Sequence, residues 1–450
     1  MSRRRLIENI VSLGALQAAS YLLPLLSLPY LARVLGPENL GRMAFAIAFA
    51  QIFVILTDYG FNLSAAREIS IHRDNPLKVA EIFYSVLLLR FCFALLGFAM
   101  LAVLVNTLSS FRLDAPLYLV CYMLVVGNVI FPQWLFQGLE MMKTFSLMQF
   151  AARFCAVVGI FFFVKSKNDL LWAALLQSSG AALAGVLTMP LVAKAVNMAG
   201  PSGITRDILV ERLREGWHVF VAAAAINVYT TGNSFVLGLL TNPLAVGYFH
   251  VAEKIVRAAQ SVFGPVSQAV YPHISLLAQQ NPVQALRFNR KLIIGLGLAG
   301  LAVSLFLHLA SELLVRLLFG EAYRPAAGVL KILAFLPLIV ILSNVLGIQT
   351  ALAFGLRKSY SRVYLAAAPI NLMLFIPLAG KMGAQGAALA NVLVESFVTV
   401  AMFIFLHRHG KNPLTFEFPR FVRRLENRLA GAGALDETGP DRSAASHRSS

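Results

Sequence analysis

Four cations stand out for their position in the chain. Arg90, Arg153, Lys254 and Arg257 each lie well inside an apolar stretch long enough to cross a lipid bilayer. An ionised group at such depth costs kilocalories, and it persists where it lines a pathway or meets a partner. Arg90 stands about eleven residues into its stretch and Arg153 about eight, roughly 12–17 Å from the nearer edge at ~1.5 Å per residue. A snorkelling side chain does not cover that distance. Carboxylates accompany them: Asp58, Glu81, and Glu253 one helical turn before Arg257. Two chemistries fit. Asp58 or Glu81 pairs with Arg90 to fix helix register, or the cations of both halves face one polar cavity and bind an anion. Cations outnumber carboxylates at mid-depth, whereas pairs alone would balance, so the pattern favours an anionic ligand. The guanidinium fork suits phosphate oxygens. On this reading Arg90, Arg153, Lys254 and Arg257 bind phosphate, and Asp58, Glu81 and Glu253 serve ion coupling or structural pairing. Glu395 is a further intramembrane carboxylate, while Glu312 and Arg316 read as an i,i+4 pair near the outer end of their span.

Neutral groups add to the set. The segment NVYTTGNS (227–234) brings Asn227, Tyr229 and Asn233, which suit sugar hydroxyls and equally suit hydrogen bonding between helices. Trp134, in FPQWLFQGLE, reads as an interface anchor. Cys92, Cys121 and Cys155 all fall in apolar stretches, where they read as small buried hydrophobes. No metal site, cofactor, catalytic residue or phosphate-binding GxxxxGK[ST] loop is expected.

The elements that must position these residues are spans. The chain is 58% hydrophobic and 13% charged, against about 25% charged for a soluble domain. It reads as an all-α polytopic membrane protein with about twelve transmembrane helices in two six-helix lobes, related by a parallel pseudo-two-fold. The lobes are expected at 1–196 and 215–410, with a cytoplasmic linker at 197–214 and a basic, partly disordered cytoplasmic tail at 411–450. VLGPENLGRMAFA (34–46) resembles LLTNPLAVGYFHVA (239–252), as a duplicated half would. Of the Lys and Arg residues in loops and tail, about 25 fall on the side holding both termini and about 8 on the other, so both termini are expected in the cytoplasm. The net charge of +17 is mostly topology, and nucleic acid is not an expected partner.

LLPLLSLPYLARVLGPENLGRMAFA (22–46), TDYGFNLSAAREISIHRD (57–74) and FPQWLFQGLEMM (131–142) resemble the opening signatures of the bacterial polysaccharide-transporter family. These are the O-antigen repeat-unit flippases of the multidrug/oligosaccharidyl-lipid/polysaccharide exporter superfamily. The resemblance covers the span pattern and is most specific in the first third. It implies a flippase, not an enzyme, that moves an undecaprenyl-diphosphate-linked oligosaccharide from the inner to the outer leaflet of the cytoplasmic membrane by alternating access. The product would serve O-antigen, capsule or exopolysaccharide assembly. The implied partners are membrane lipids, a polysaccharide polymerase and chain-length machinery. Two other readings stay open. A multidrug extruder of the same superfamily would line its cavity with acidic and aromatic groups. A membrane-embedded glycosyltransferase or polymerase would need a catalytic carboxylate on a sizeable outer loop.

Overall fold

The computed structural model describes residues 3–196 and 204–415, and among them every regular element is a helix. The first half runs through α1 (Arg3–Asp58), α2 (Phe61–His72) and α3 (Pro76–Thr107). It continues with α4 (Ala115–Gly138, in three segments), α5 (Met142–Phe163) and α6 (Leu170–Ala195). The second half begins with α7 (Arg206–Thr230), α8 (Gly232–Leu240), α9 (Pro243–Ser261) and α10 (Gly264–Gln280). It closes with α11 (Pro282–Leu309), α12 (Ala326–Leu352, also segmented) and α13 (Arg357–Arg408).

Among the described residues, eight stretches are long and apolar enough to cross a membrane. Two of them are doubled by a sharp bend, at Gly36 in α1 and Gly383 in α13. Gly36 sits at φ 78°, ψ 170°, backbone that a side chain disfavours, and Pro37 restarts the helix with its φ already set. The α7–α8 and α9–α10 stretches fall outside the eight. In α9 the cause is visible: His250, Glu253, Lys254 and Arg257 crowd two turns. A stretch of reduced apolar content therefore carries the candidate chemistry. Large side chains left bare on the outer helices, such as Phe162, Leu298 and Leu309, suit contact with lipid. The chain is thus an all-α polytopic membrane protein.

The halves meet where α1 crosses α9. Leu40, Met43, Ala46, Phe49 and Phe53 of α1 share one buried cluster with Val246, Phe249, Ala252 and Val256 of α9. Both helices restart here at a proline: Pro37 follows the bend, and Pro243 follows Asn242, whose side chain caps the Ala245 amide at 2.9 Å. Four residues beyond each proline stands a glycine. A Cβ at Gly41 would overlap the Pro243 carbonyl, and a Cβ at Gly247 would overlap the Pro37 carbonyl. The resembling segments thus pack reciprocally against each other, as a pseudo-two-fold requires.

Four expectations need adjusting. Cys121 is buried as expected, but Cys92 and Cys155 are exposed. Trp134 is buried, 5.5 Å from the Phe83 ring, because α4 turns inward at Pro132. Arg316 bonds Glu321 at 2.5 Å and Glu312 bonds Arg324 at 3.2 Å, because the turn at Gly320 brings nearer partners than the i,i+4 spacing does. The second part of the expected linker belongs to a helix that runs unbroken from Arg206 to Thr230. Residues 197–203 and the tail from 416 lie outside the described residues.

Candidate functional site

The site is built on α9. One face of this helix buries Val246, Phe249, Ala252 and Val256 against α1 and α12. Glu253, Arg257 and Gln260, spaced by four and three residues, form the wall of a cavity of about 160 Å³. Asn391 and Glu395 of α13 form the opposite polar wall, and Leu336 and Val340 of α12 contribute apolar surface. The Glu253 carboxylate accepts from Arg257 Nε at 3.0 Å and Nη2 at 2.7 Å. This is a forked, charge-assisted contact that fixes the guanidinium plane. The Arg257 side chain is 48% exposed and that of Glu253 13%. The fork therefore faces open cavity while its carboxylate is tucked behind it. Lys254, one residue on, is rotated by about 100° around the helix and is half-buried off the cavity wall.

A chain of amides backs the cavity. Asn233 Nδ2 donates to Asn391 Oδ1, and Asn371 Nδ2 donates to Asn233 Oδ1 at 2.8 Å, tying α8 to both parts of α13. Asn233, expected to meet sugars, commits its amide to this clamp. Asn227 donates to the Ala223 carbonyl at 2.9 Å and accepts from Thr231 Oγ1 at 3.4 Å. The side chain of Tyr229 lies outside the described ones.

The first half presents a different arrangement. Arg90 is 1% exposed. Its Nε donates to the Thr57 carbonyl at 3.3 Å, and its Nη2 donates to Asp58 Oδ1 at 3.1 Å and Asn128 Oδ1 at 2.8 Å. Asn128 carried no signal in sequence beyond being an amide in an apolar stretch. Arg153 is half-buried on α5, its Cγ 4.0 Å from where a Cβ on Gly180 would stand. Neither residue lines the Arg257 cavity. Glu81 bonds Lys78 at 2.6 Å and stands 3.7 Å from Arg212, which also pairs with Glu68 and, at 3.6 Å, Glu215. Arg212 thus joins the start of α7 to α2 and α3. Arg212 falls within the expected linker, and its long-range partners become visible only in the fold.

A second cavity, of about 440 Å³, lies between the halves. Ile52 and Phe53 of α1 and Met100 of α3 face Phe220 of α7, Phe235 of α8 and Leu372 of α13 across it. Its surface is almost wholly apolar.

The comparisons with known proteins agree with this architecture. The profile of the polysaccharide biosynthesis protein family matches residues 6–278. A protein of Escherichia coli (strain K12) named "Putative O-antigen transporter" is 34% identical, over 89% of this chain and 97% of its own. A protein of the same name from Shigella dysenteriae is 28% identical, over 88% of this chain and 98% of its own. Among solved structures, the lipid II flippase MurJ in an inward closed conformation aligns with a TM-score of 0.69 at 13% identity, covering 88% of this chain and 87% of that one. An inward-facing multidrug resistance transporter of the MATE family, in the MOP superfamily, aligns with a TM-score of 0.64 at 15% identity, covering 87% and 94%. At those identities the structures share a fold. By family profile and by its E. coli relative, this chain belongs to the polysaccharide biosynthesis protein family.

Proposed function

We propose that the protein is a flippase for a lipid-linked oligosaccharide in the bacterial cytoplasmic membrane. It moves an undecaprenyl-diphosphate-linked repeat unit from the inner to the outer leaflet by alternating access, with both termini in the cytoplasm. Residues 1–196 and 215–410 act as its two lobes. The observation that carries this reading is the Arg257 fork, held by Glu253 and turned toward an intramembrane cavity whose far wall bears Asn391. A free guanidinium at this depth would be costly. Glu253 therefore holds the fork while the site is empty, and phosphate oxygens take its place on binding. Lys254 adds a second positive charge on the same turn, Gln260 and Asn391 offer amides to sugar hydroxyls, and Arg153 stands apart from this cavity on α5. Arg90, enclosed with Thr57, Asp58 and Asn128, acts by fixing helix register.

The cavity holds two carboxylates beside one guanidinium, so charge alone does not separate an anion carrier from a multidrug extruder. Transport assays do. Arg257→Ala should retain membrane abundance and accumulate lipid-linked repeat units in the inner leaflet, and Arg257→Lys should restore transport in part because charge returns without the fork. Full export by Arg257→Ala at wild-type abundance, or loss of drug resistance in its place, would refute the assignment.

A further inference from the structure

The apolar cavity between the halves is unexplained by a site for phosphate and sugar. We infer that it receives the proximal isoprene units of the carrier's polyprenyl chain, so that the protein holds its substrate by the tail as well as the headgroup. This inference rests on the flippase reading and adds a binding site to it.

Three observations support it. The first is dryness. Asn227 and Thr231 are two of the few polar residues on the wall, and Asn227 already bonds Ala223 and Thr231. Gln51 is the other polar side chain there, and a wall with so few polar groups offers water little. Its volume of about 440 Å³ lies within the roughly 300–1,000 Å³ usual for small-molecule pockets, room for a few isoprene units and not for a whole chain.

The second is the mouth. Ile52 is 40% exposed and Met100 48%, and both stand on helices long and apolar enough to span the bilayer, so the cavity is open along α1 and α3 and not at a loop. A chain whose far end stays in lipid can enter there. The third is continuity with the polar cavity. Thr231 and Phe235 of α7–α8 line the apolar side, while Asn233, between them in sequence, bonds Asn391 on the wall of the Arg257 cavity. One helix is thus the partition between a site for hydrocarbon and a site for phosphate. A lipid with its diphosphate on Arg257 has its first isoprene units beside that partition.

The force that seats the chain here is packing. Bilayer hydrocarbon is as apolar as the cavity, so transfer between them gains little. An empty cavity, however, leaves its walls without partner atoms, and a chain that fills it restores those dispersion contacts. A tail seated between the halves also touches both, through α1 and α3 on one side and α7, α8 and α13 on the other. Carrier occupancy is therefore sensed at the surface along which the halves must move.

The test uses the full chain in nanodiscs with polyprenyl diphosphate carrying a diazirine on its first isoprene units. Mass spectrometry should find saturable label within residues 48–56 and 220–236. Unlabelled polyprenyl diphosphate should compete it away, and excess phosphatidylglycerol should not. Ile52→Trp, at a half-open position that tolerates bulk, should remove that label, as should Ala224→Leu on the facing helix. Both should weaken binding of the long-chain carrier by about tenfold, from the loss of dispersion contacts at some ten chain atoms. Neither should alter binding of a short-tailed soluble analogue. Label confined to outer surfaces such as that around Leu298, equal competition by phospholipid, or filled variants that still prefer the long chain would each overturn the inference. If the short analogue binds wild type and fails on Arg257→Ala while no label enters the cavity, the tail site falls and the flippase reading stands. If neither long nor short carrier binds, both fall.

Discussion

Arg90 and Arg257 occupy the same setting in sequence, a guanidinium at mid-span with a carboxylate within reach, and the fold gives them opposite surroundings. Arg90 is 1% exposed and shares its donors among Asp58, Asn128 and the Thr57 carbonyl, with Nη1 lacking a partner among the described residues. Arg257 is 48% exposed on a cavity and spends Nε and Nη2 on the single oxygen of Glu253. Depth fixes what ionisation costs. Packing of the neighbouring helices decides whether a ligand can reach the charge. Arg90 is enclosed by α1, α3 and α4, and Arg257 is left open because α9 and α13 part along their polar faces.

The sharpest way to break this comparison is to truncate both. Removing one member of a buried pair strands its partner and costs about 3–5 kcal/mol, so Arg90→Ala should lower the unfolding temperature in detergent and deplete the protein from the membrane. Adding Asp58→Asn should recover part of the loss, since the stranded carboxylate is gone. Arg257→Ala should unfold near wild type while transport fails. Equal loss of protein in both would mean that the two sites differ only in appearance.

The next effect tests the surface on which the halves meet. Gly41 and Gly247 each face a carbonyl of the other half with no room for a Cβ. The obstacle is backbone, which cannot rotate aside as a side chain can. Overpacking costs of about 1–3 kcal/mol are usual, and Gly247→Ala should lie at the upper end in the state described here. Should the halves part here during transport, the substitution would bias the protein toward the parted state, measured as greater alkylation of a cysteine placed at Asn39. Unchanged stability and unchanged alkylation would show that the crossing is loose.

How much of this was legible in the sequence depends on the range of the interaction. Apolar stretches and the resembling segments at 34–46 and 239–252 were readable because hydropathy and short motifs are local. Glu253–Arg257 was readable because the two stand one turn apart. Partners for Arg90 were narrowed to Asp58 or Glu81, and the fold brings Asp58 to it at 3.1 Å and Arg212 toward Glu81 at 3.7 Å. Asn128, Asn371 and Asn391 left no trace, since an amide in an apolar run looks alike whether it clamps helices or lines a cavity. The apolar cavity had no local signature at all. It is a gap between surfaces from five helices, and periodicity marks which side of a helix is apolar without saying what stands opposite.

A smaller effect concerns the amide chain behind the polar cavity. Asn371→Ala removes the donor to Asn233 Oδ1, and a buried acceptor left unmet costs about 1–3 kcal/mol. Asn371 already has an Oδ1 without a hydrogen-bond partner among the described residues, so the clamp starts incompletely satisfied and the cost should sit near the lower bound. Transport should fall less than with Arg257→Ala, because Asn391 keeps its contact with Asn233. A larger loss of transport than of stability would mark Asn371 as part of the substrate path.

The smallest effect completes the series at the exposed extreme. Arg316 meets Glu321 at 2.5 Å, closer than either intramembrane pair, yet the two side chains are 70% and 62% exposed. If distance governed the worth of an ion pair, this would be the strongest of the three. If burial governs, solvent already satisfies both ions, their long side chains lose freedom on pairing, and salt screens what remains. Arg316→Ala should then change stability by less than about 1 kcal/mol. The change should shrink further as salt is raised from low to physiological concentration, whereas the Arg90→Ala loss should barely respond to salt. Unfolding temperatures of both variants across a salt series decide it. A salt-insensitive loss at Arg316 as large as that at Arg90 would overturn burial as the variable that separates these pairs.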